Sequence, residues 1–150
     1  AYLTYDNSVL PESLLYAYQI SNNDTYKEIA EESFHFLLDN TFKGEQIKVV
    51  SNQGWRQKAA SGKIYGEQPI DIAGTVIALS TFYSILGKNE YYQKQKIAFS
   101  WFLGNNHLEQ IIYNPSTGGC YDGLEEYNVN LNQGAESTIS YLMARLCMGS

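Results

Sequence analysis

The chain repeats itself. Shifted by 66 residues, Tyr26 falls on Tyr92, Phe36 on Phe102, Leu37 on Leu103 and Asn40 on Asn106. Shifted by 65, Gln68 falls on Gln133 and Asp71 on Glu136. The matches are few, but they keep their order. A period of this length constrains the fold more than local propensity does, because each unit must bury its apolar face against the next. The repeating unit is a helical hairpin followed by a long loop. Apolar spacing predicts helices over residues 11–21, 25–40, 69–86, from 89 or 90 to 104, and from about 133 to 147. Pro11 and Pro69 suit first turns, Asn22-Asn23-Asp24 reads as a turn and cap, and Gly87 suits a helix end. Residues 41–68 and 105–132 read as long polar loops, strand-like only over 47–50.

Stacked hairpins form a solenoid or a closed ring, with one helix of each pair inside and the loops gathered on one rim. A ring of six such units takes roughly 350–400 residues at this period, against the 150 present. The expectation is therefore an all-α chain of consecutive helical hairpins. Residues 1–150 would be a single domain forming part of a larger toroid, and a first residue other than Met agrees with excision from a longer chain.

Ten basic residues against 16 acidic ones leave a charge of −6 and no Lys/Arg cluster. Such a field repels a phosphate backbone, so nucleic acid is not an expected partner. The apolar runs are short, so no membrane span is expected, and residues 1–4 lack the basic start of a signal peptide. The two cysteines, Cys120 and Cys147, read as reduced thiols of a cytoplasmic protein.

The candidate chemistry lies on the rim. Glu12, Asp71 and Glu136 each fall in the first turn of a predicted inner helix. Acids there complement the helix dipole, and three on one rim would also form an acidic mouth. Glycoside cleavage needs two carboxyl groups, so Asp71, Asp122 and Glu136 are the catalytic candidates. The segment 113–126 crowds Tyr121, Asp122, Glu125 and Glu126 between tight turns, and Asn132 and Gln133 follow. Carboxylates, amides and aromatic faces together suit hydroxyl-rich ligands, and they equally suit a loop held by its own hydrogen bonds. The sugar-binding candidates are Trp55, Tyr65, Gln68, Tyr121, Glu125, Asn132 and Gln133. Trp55 falls opposite Tyr121 at the 66-residue offset, as a stacking partner or as loop packing. Of 13 tyrosines, Tyr65, Tyr113, Tyr121 and Tyr127 lie on rim loops, while Tyr26, Tyr92 and Tyr141 belong to helix stripes. Trp101 and His35 read as structural. Metal ligation is not expected, since His35, His107, Cys120 and Cys147 lack ligand spacing. No phosphate-binding loop and no cofactor site is read either.

Four segments resemble one family: 66–71, 98–108, 113–125 and 130–138. Their most specific parts are Gly118-Gly119-Cys120-Tyr121-Asp122-Gly123-Leu124-Glu125 and Asn132-Gln133-Gly134-Ala135-Glu136-Ser137. The chain is similar to the C-terminal helical region of bacterial group 1 glycosyltransferases, described as galactosyl- or mannosyltransferases. The likeness spans residues 60–148 and, more weakly, the first hairpin. It implies an (α/α)-toroid of six-hairpin glycosidase type and an oligosaccharide or glycan acceptor as partner. Transfer from a nucleotide sugar would need a separate N-terminal domain, because no βαβ unit is legible here. The leading expectation is a carbohydrate-interacting domain that is not catalytic alone. The alternatives are a glycoside hydrolase module and a structural or oligomerising solenoid, and self-association of this chain is expected.

Overall fold

The computed structural model describes residues 2–52, 56–57 and 65–149. Five helices dominate it: α1 (Val9–Ser21), α2 (Asp24–Thr41), α3 (Pro69–Leu86), α4 (Asn89–Ser100) and α5 (Ala135–Cys147). Three two-stranded antiparallel ribbons accompany them. β1 (Tyr2–Leu3) pairs with β4 (Arg56–Gln57), β2 (Phe42–Lys43) with β3 (Gln46–Ile47), and β5 (Gly123–Leu124) with β6 (Val129–Asn130). The strand expected over 47–50 shrinks to its first residue, because Val49 is buried without pairing.

The ends follow local chemistry. Asn22 turns left-handed (φ 55°) and its N–H reaches Tyr18 O at 2.8 Å, which closes α1. Asn23 Oδ1 accepts the Thr25 N–H at 3.0 Å and opens α2. Pro69 starts α3, and Gly87 ends it with φ 69°. The fourth helix stops short of its expected end at 104. Residues Trp101–Leu103 tighten into a 3-10 turn that presses Trp101 and Phe102 into the core, and Gly104 (φ 108°) turns the chain away.

Helices α1, α3 and α5 form a row with α3 in the middle, while α2 packs on α1 and α4 on α3. Ser8 meets Thr75, and farther along Tyr16 meets Thr81, so α1 and α3 run in the same direction. The chain is predominantly helical, as expected. Between the two hairpins, Phe34, Phe82 and Tyr91 pack at 4.2 and 5.3 Å. The Tyr91 hydroxyl lies 3.0 Å from His35 Nε2 and donates to Glu31. A second aromatic cluster joins Trp101, Phe102 and Tyr141.

Helix α3 is the one described helix long and apolar enough to cross a membrane, and the expectation from short apolar runs missed it. Over half of it is buried among its neighbours, which is the position of a central core helix.

Burial also revises the repeat. In the outer helices, Ala30, Phe34 and Leu37 are matched by Gln95, Phe99 and Phe102, all buried, at an offset of 65. At 66, exposed Phe36 falls on buried Phe102, so that pairing does not hold structurally. Tyr26 and Tyr92 lie on helices but outside the core, and Tyr91 takes the buried place.

Candidate functional site

The first turns of α3 and α5 meet at one end of the row, the residues leading into α1 lie beside them, and the loop over residues 113–134 folds across. Glu67 and Leu124 exchange backbone hydrogen bonds of 3.0 and 2.9 Å, which fastens that loop to the entrance of α3. The expected mouth of three first-turn acids does not form: Asp71 and Glu136 lie together at this end, whereas Glu12 bonds Thr81, ten residues further along α3. Asp71 is buried at the third position of α3. Glu136 sits at the second position of α5 and is exposed; the buried third position there belongs to Ser137. Glu12 is half-buried and accepts from Thr81 Oγ1 at 2.7 Å. Burial, opposed by that hydrogen bond and assisted by the Asp6 charge, raises its carboxyl above the usual range. The structural counterpart of Asp71 is therefore Ser137, not Glu136, because burial follows helix position rather than sequence likeness.

Asp71 is 7% exposed. Its Oδ1 accepts the Asp6 N–H at 2.6 Å, and its Oδ2 is buried with no hydrogen-bond partner. Burial pushes its pKa up to about 7; the nearby charges of Asp6, Glu136 and Glu67 add to this, and the Asp6 N–H opposes it. Asp6 is brought close by a left-handed backbone (φ 50°) and lies over Gly74 of α3. A Cβ at Gly74 would meet Asp6 Oδ1, so a larger residue there would displace the Asp6 side chain. Asp71 lines a cavity of about 20 Å³ with Asn7, Ser8, Leu37, Leu38, Thr41, Val49, Val50 and Thr75. That volume holds about one water molecule and no sugar ring.

Asp122 caps α5. Its Oδ1 accepts the Gly134 N–H at 2.7 Å, Oδ2 accepts from Asn132 Nδ2, and Ser137 also donates to the carboxylate. Partial burial raises its pKa, but these donors outweigh it and hold the group below the usual range. A loop residue here does the work of an N-cap side chain, since Gly134 has none.

The other candidates divide. Gln133 Oε1 accepts from Thr117 Oγ1 at 2.6 Å, close over Gly119. Asn132 is engaged with Asp122. The Tyr121 hydroxyl accepts from Asn114 Nδ2 at 3.0 Å, and its ring is half-buried beside the core. Tyr113 lies on the loop, where its ring is half-buried and stacks on Tyr141 of α5 at 4.3 Å and 12°. Tyr127 is 84% exposed. Gln68 precedes α3 without capping it, and Glu125 closes the β5–β6 turn through its N–H to Asn128 O at 2.9 Å. Trp55 lies outside the described residues. Much of the loop is thus held by its own polar side chains. Cys120 is fully buried, and burial followed by the Asp122 charge pushes its thiol up to about 12, which makes it inert.

Spacing did not reveal the network around Glu67. This carboxylate is 2% exposed. Lys48 Nζ lies 3.3 Å and His107 Nδ1 3.7 Å from Oε1, and Trp101 Nε1 donates to Oε2 at 3.1 Å. Burial raises the pKa of Glu67, while Lys48, His107 and Trp101 counter it. Lys48 also stands 4.5 Å over the Tyr65 ring, which packs at 4.9 Å on His107. His107 Nε2 faces the Glu125 and Glu126 carbonyl oxygens at 3.0 and 3.2 Å. Tyr65 is thereby tied to structural partners. The partners of Glu67 are remote in sequence, so no local pattern announces the network. Among the described residues, no cluster of three His, Cys, Asp or Glu groups suits a metal ion.

Compared with protein-family models and with curated protein sequences, the chain matches none.

Proposed function

We propose that the chain is a carbohydrate-interacting helical domain of a bacterial glycosyltransferase-type protein, built as part of a six-hairpin (α/α)-toroid. The glycan would lie across the rim at the first turns of α3 and α5. One observation supports the reading: α3 and α5 bring Asp71 and Glu136 together at the end where Gln68 and the loop carrying Tyr121 and Glu125 lie. The family resemblance of residues 66–71 and 113–138 supports it. Transfer from a nucleotide sugar belongs to another domain, since the described strands form only short antiparallel ribbons. Two free thiols suit the cytoplasm.

The test is calorimetric titration with galactose- and mannose-containing oligosaccharides. Binding weakened at least tenfold by Tyr121→Ala and Gln68→Ala supports the reading, and binding that survives both overturns it.

A second reading is a glycoside hydrolase module. It is favoured by Asp71, whose pKa near 7 is that of a general acid, with Glu136 close enough to act on its charge. Against it stand the burial of Asp71 and the capping role of Asp122. Turnover of aryl glycosides that vanishes in Asp71→Asn would establish it.

The chain is also proposed to self-associate. Ile139, Leu142, Met143 and Leu146 form a stripe along the outer face of α5 that is left in solvent.

A further inference from the structure

The row of inner helices is open at both ends, and both ends are apolar. On α1, Ser8, Glu12 and Tyr16 face α3 through Thr75 and Thr81. Successive helical residues turn by about 100°, so Leu10, two positions from Ser8 and from Glu12, points the opposite way, and it is exposed. On α2, Glu31 and His35 reach Lys88 and Tyr91 at the start of α4. Ile29 and Phe36 lie on the other side of that helix and are exposed. Leu10, Ile29 and Phe36 therefore share the side of the first hairpin that is turned away from the second.

At the other end, α5 packs on α3 and, through Tyr141, on Phe99 and Phe102. Ile139, Leu142 and Leu146 lie on its remaining side, exposed. Among the described residues no outer helix follows α5, as α2 follows α1 and α4 follows α3.

Inside the molecule, each step along the row joins two such sides. Helices α1 and α3 lie side by side in one direction, and Phe34 of α2 packs on Phe82 of α3 at 4.2 Å. Helices α3 and α5 repeat the step. The α5 end of one molecule and the first hairpin of another are the two halves of a further step of the same kind. Charge favours that pairing over two first hairpins. One acid in α1 and five in α2 stand against a single lysine, so two such ends repel, whereas α5 brings Arg145 in its last turn.

We propose that α5 of one molecule docks on the open side of α1 and α2 of a second copy, with Ile139, Leu142 and Leu146 against Leu10, Ile29 and Phe36. This rests on the self-association proposed above and names its partner surface. The contact uses two different faces, so every pair keeps one of each free and assembly continues into a ring or a chain.

The test is sedimentation velocity of the whole chain and of two variants, alone and mixed. Ile29→Glu with Phe36→Glu removes one face, and Leu142→Glu with Leu146→Lys removes the other. Each variant alone should associate at least about tenfold more weakly than the wild type. Mixed in equal amounts they should form a dimer and nothing larger, because each keeps the face that the other has lost. A mixture that stays monomeric would overturn the proposal. Wild-type association of the Ile29, Phe36 variant alone would overturn it in favour of α5 pairing with α5, and self-association would stand. A wild type monomeric at every concentration would overturn both. Leu10→Glu, on the same open side, should act as the α2 variant does, and it decides the matter if that variant fails to fold.

Discussion

The Trp101 indole donates to Glu67 Oε2 at 3.1 Å, joining the turn after α4 to the segment leading into α3 in the interior of the molecule. The two lie 34 positions apart in sequence. Through Glu67 the bond continues to Lys48 and His107, so one carboxylate fixes three segments at the rim.

Substitutions at Glu67 should separate charge from hydrogen bonding. Glu67→Gln keeps an acceptor for Trp101 and loses the pairing with Lys48, for about 1–2 kcal/mol of stability. Glu67→Ala also leaves the indole N–H buried and unpaired, and should cost about 3–4 kcal/mol. Urea unfolding measures both, and only the alanine variant should shift Trp101 fluorescence.

Removing the Asp122 carboxylate should loosen the start of α5. Asp122→Ala is expected to cost about 1–2 kcal/mol, with earlier amide exchange at residues 134–138. Its pKa is held below the unfolded value, so its stabilisation is present above about pH 4 and lost as the pH falls through the native value. The gap between wild type and variant should therefore close in acid.

Asp71 has the opposite sign. Its native pKa of about 7 lies above the unfolded value of 3.8, so the native state keeps a proton that the unfolded chain has released. Stability should fall as the pH rises from 4 to 7 and level off above. The loss should approach about 2–4 kcal/mol, and Asp71→Asn should flatten the curve. Denaturant titrations across pH read this directly.

The stripe on α5 should drive weak association. Leu146 is 82% exposed, and Ile139, Leu142 and Met143 lie beside it. Sedimentation at rising concentration should show oligomers of the wild type. Leu142→Glu with Leu146→Lys should remain monomeric, with a melting midpoint within about 2 °C of wild type, since surface sites contribute little to folding.

Much of the fold was legible because its signals are local. The Asn23 cap, Pro69 at the first position of α3 and Gly87 after its end act within one helical turn, and the apolar period marks each helix. The offset of Gln68-to-Asp71 against Gln133-to-Glu136 revealed the repeated unit. Sequence alone thus determined the hairpins, their order and the acids in the first turns.

Tertiary structure decided which of those acids is buried. Asp71 and Glu136 look alike in sequence, but Asp71 is enclosed by Asp6, Ser8 and the end of α2, while Glu136 faces solvent one position from buried Ser137. It likewise made Asp122 a cap and Glu67 the anchor of a network, through partners up to 40 residues away. Periodicity records the face of a helix. The dielectric around a carboxylate depends on which other segments close over it, and only the packed chain supplies them.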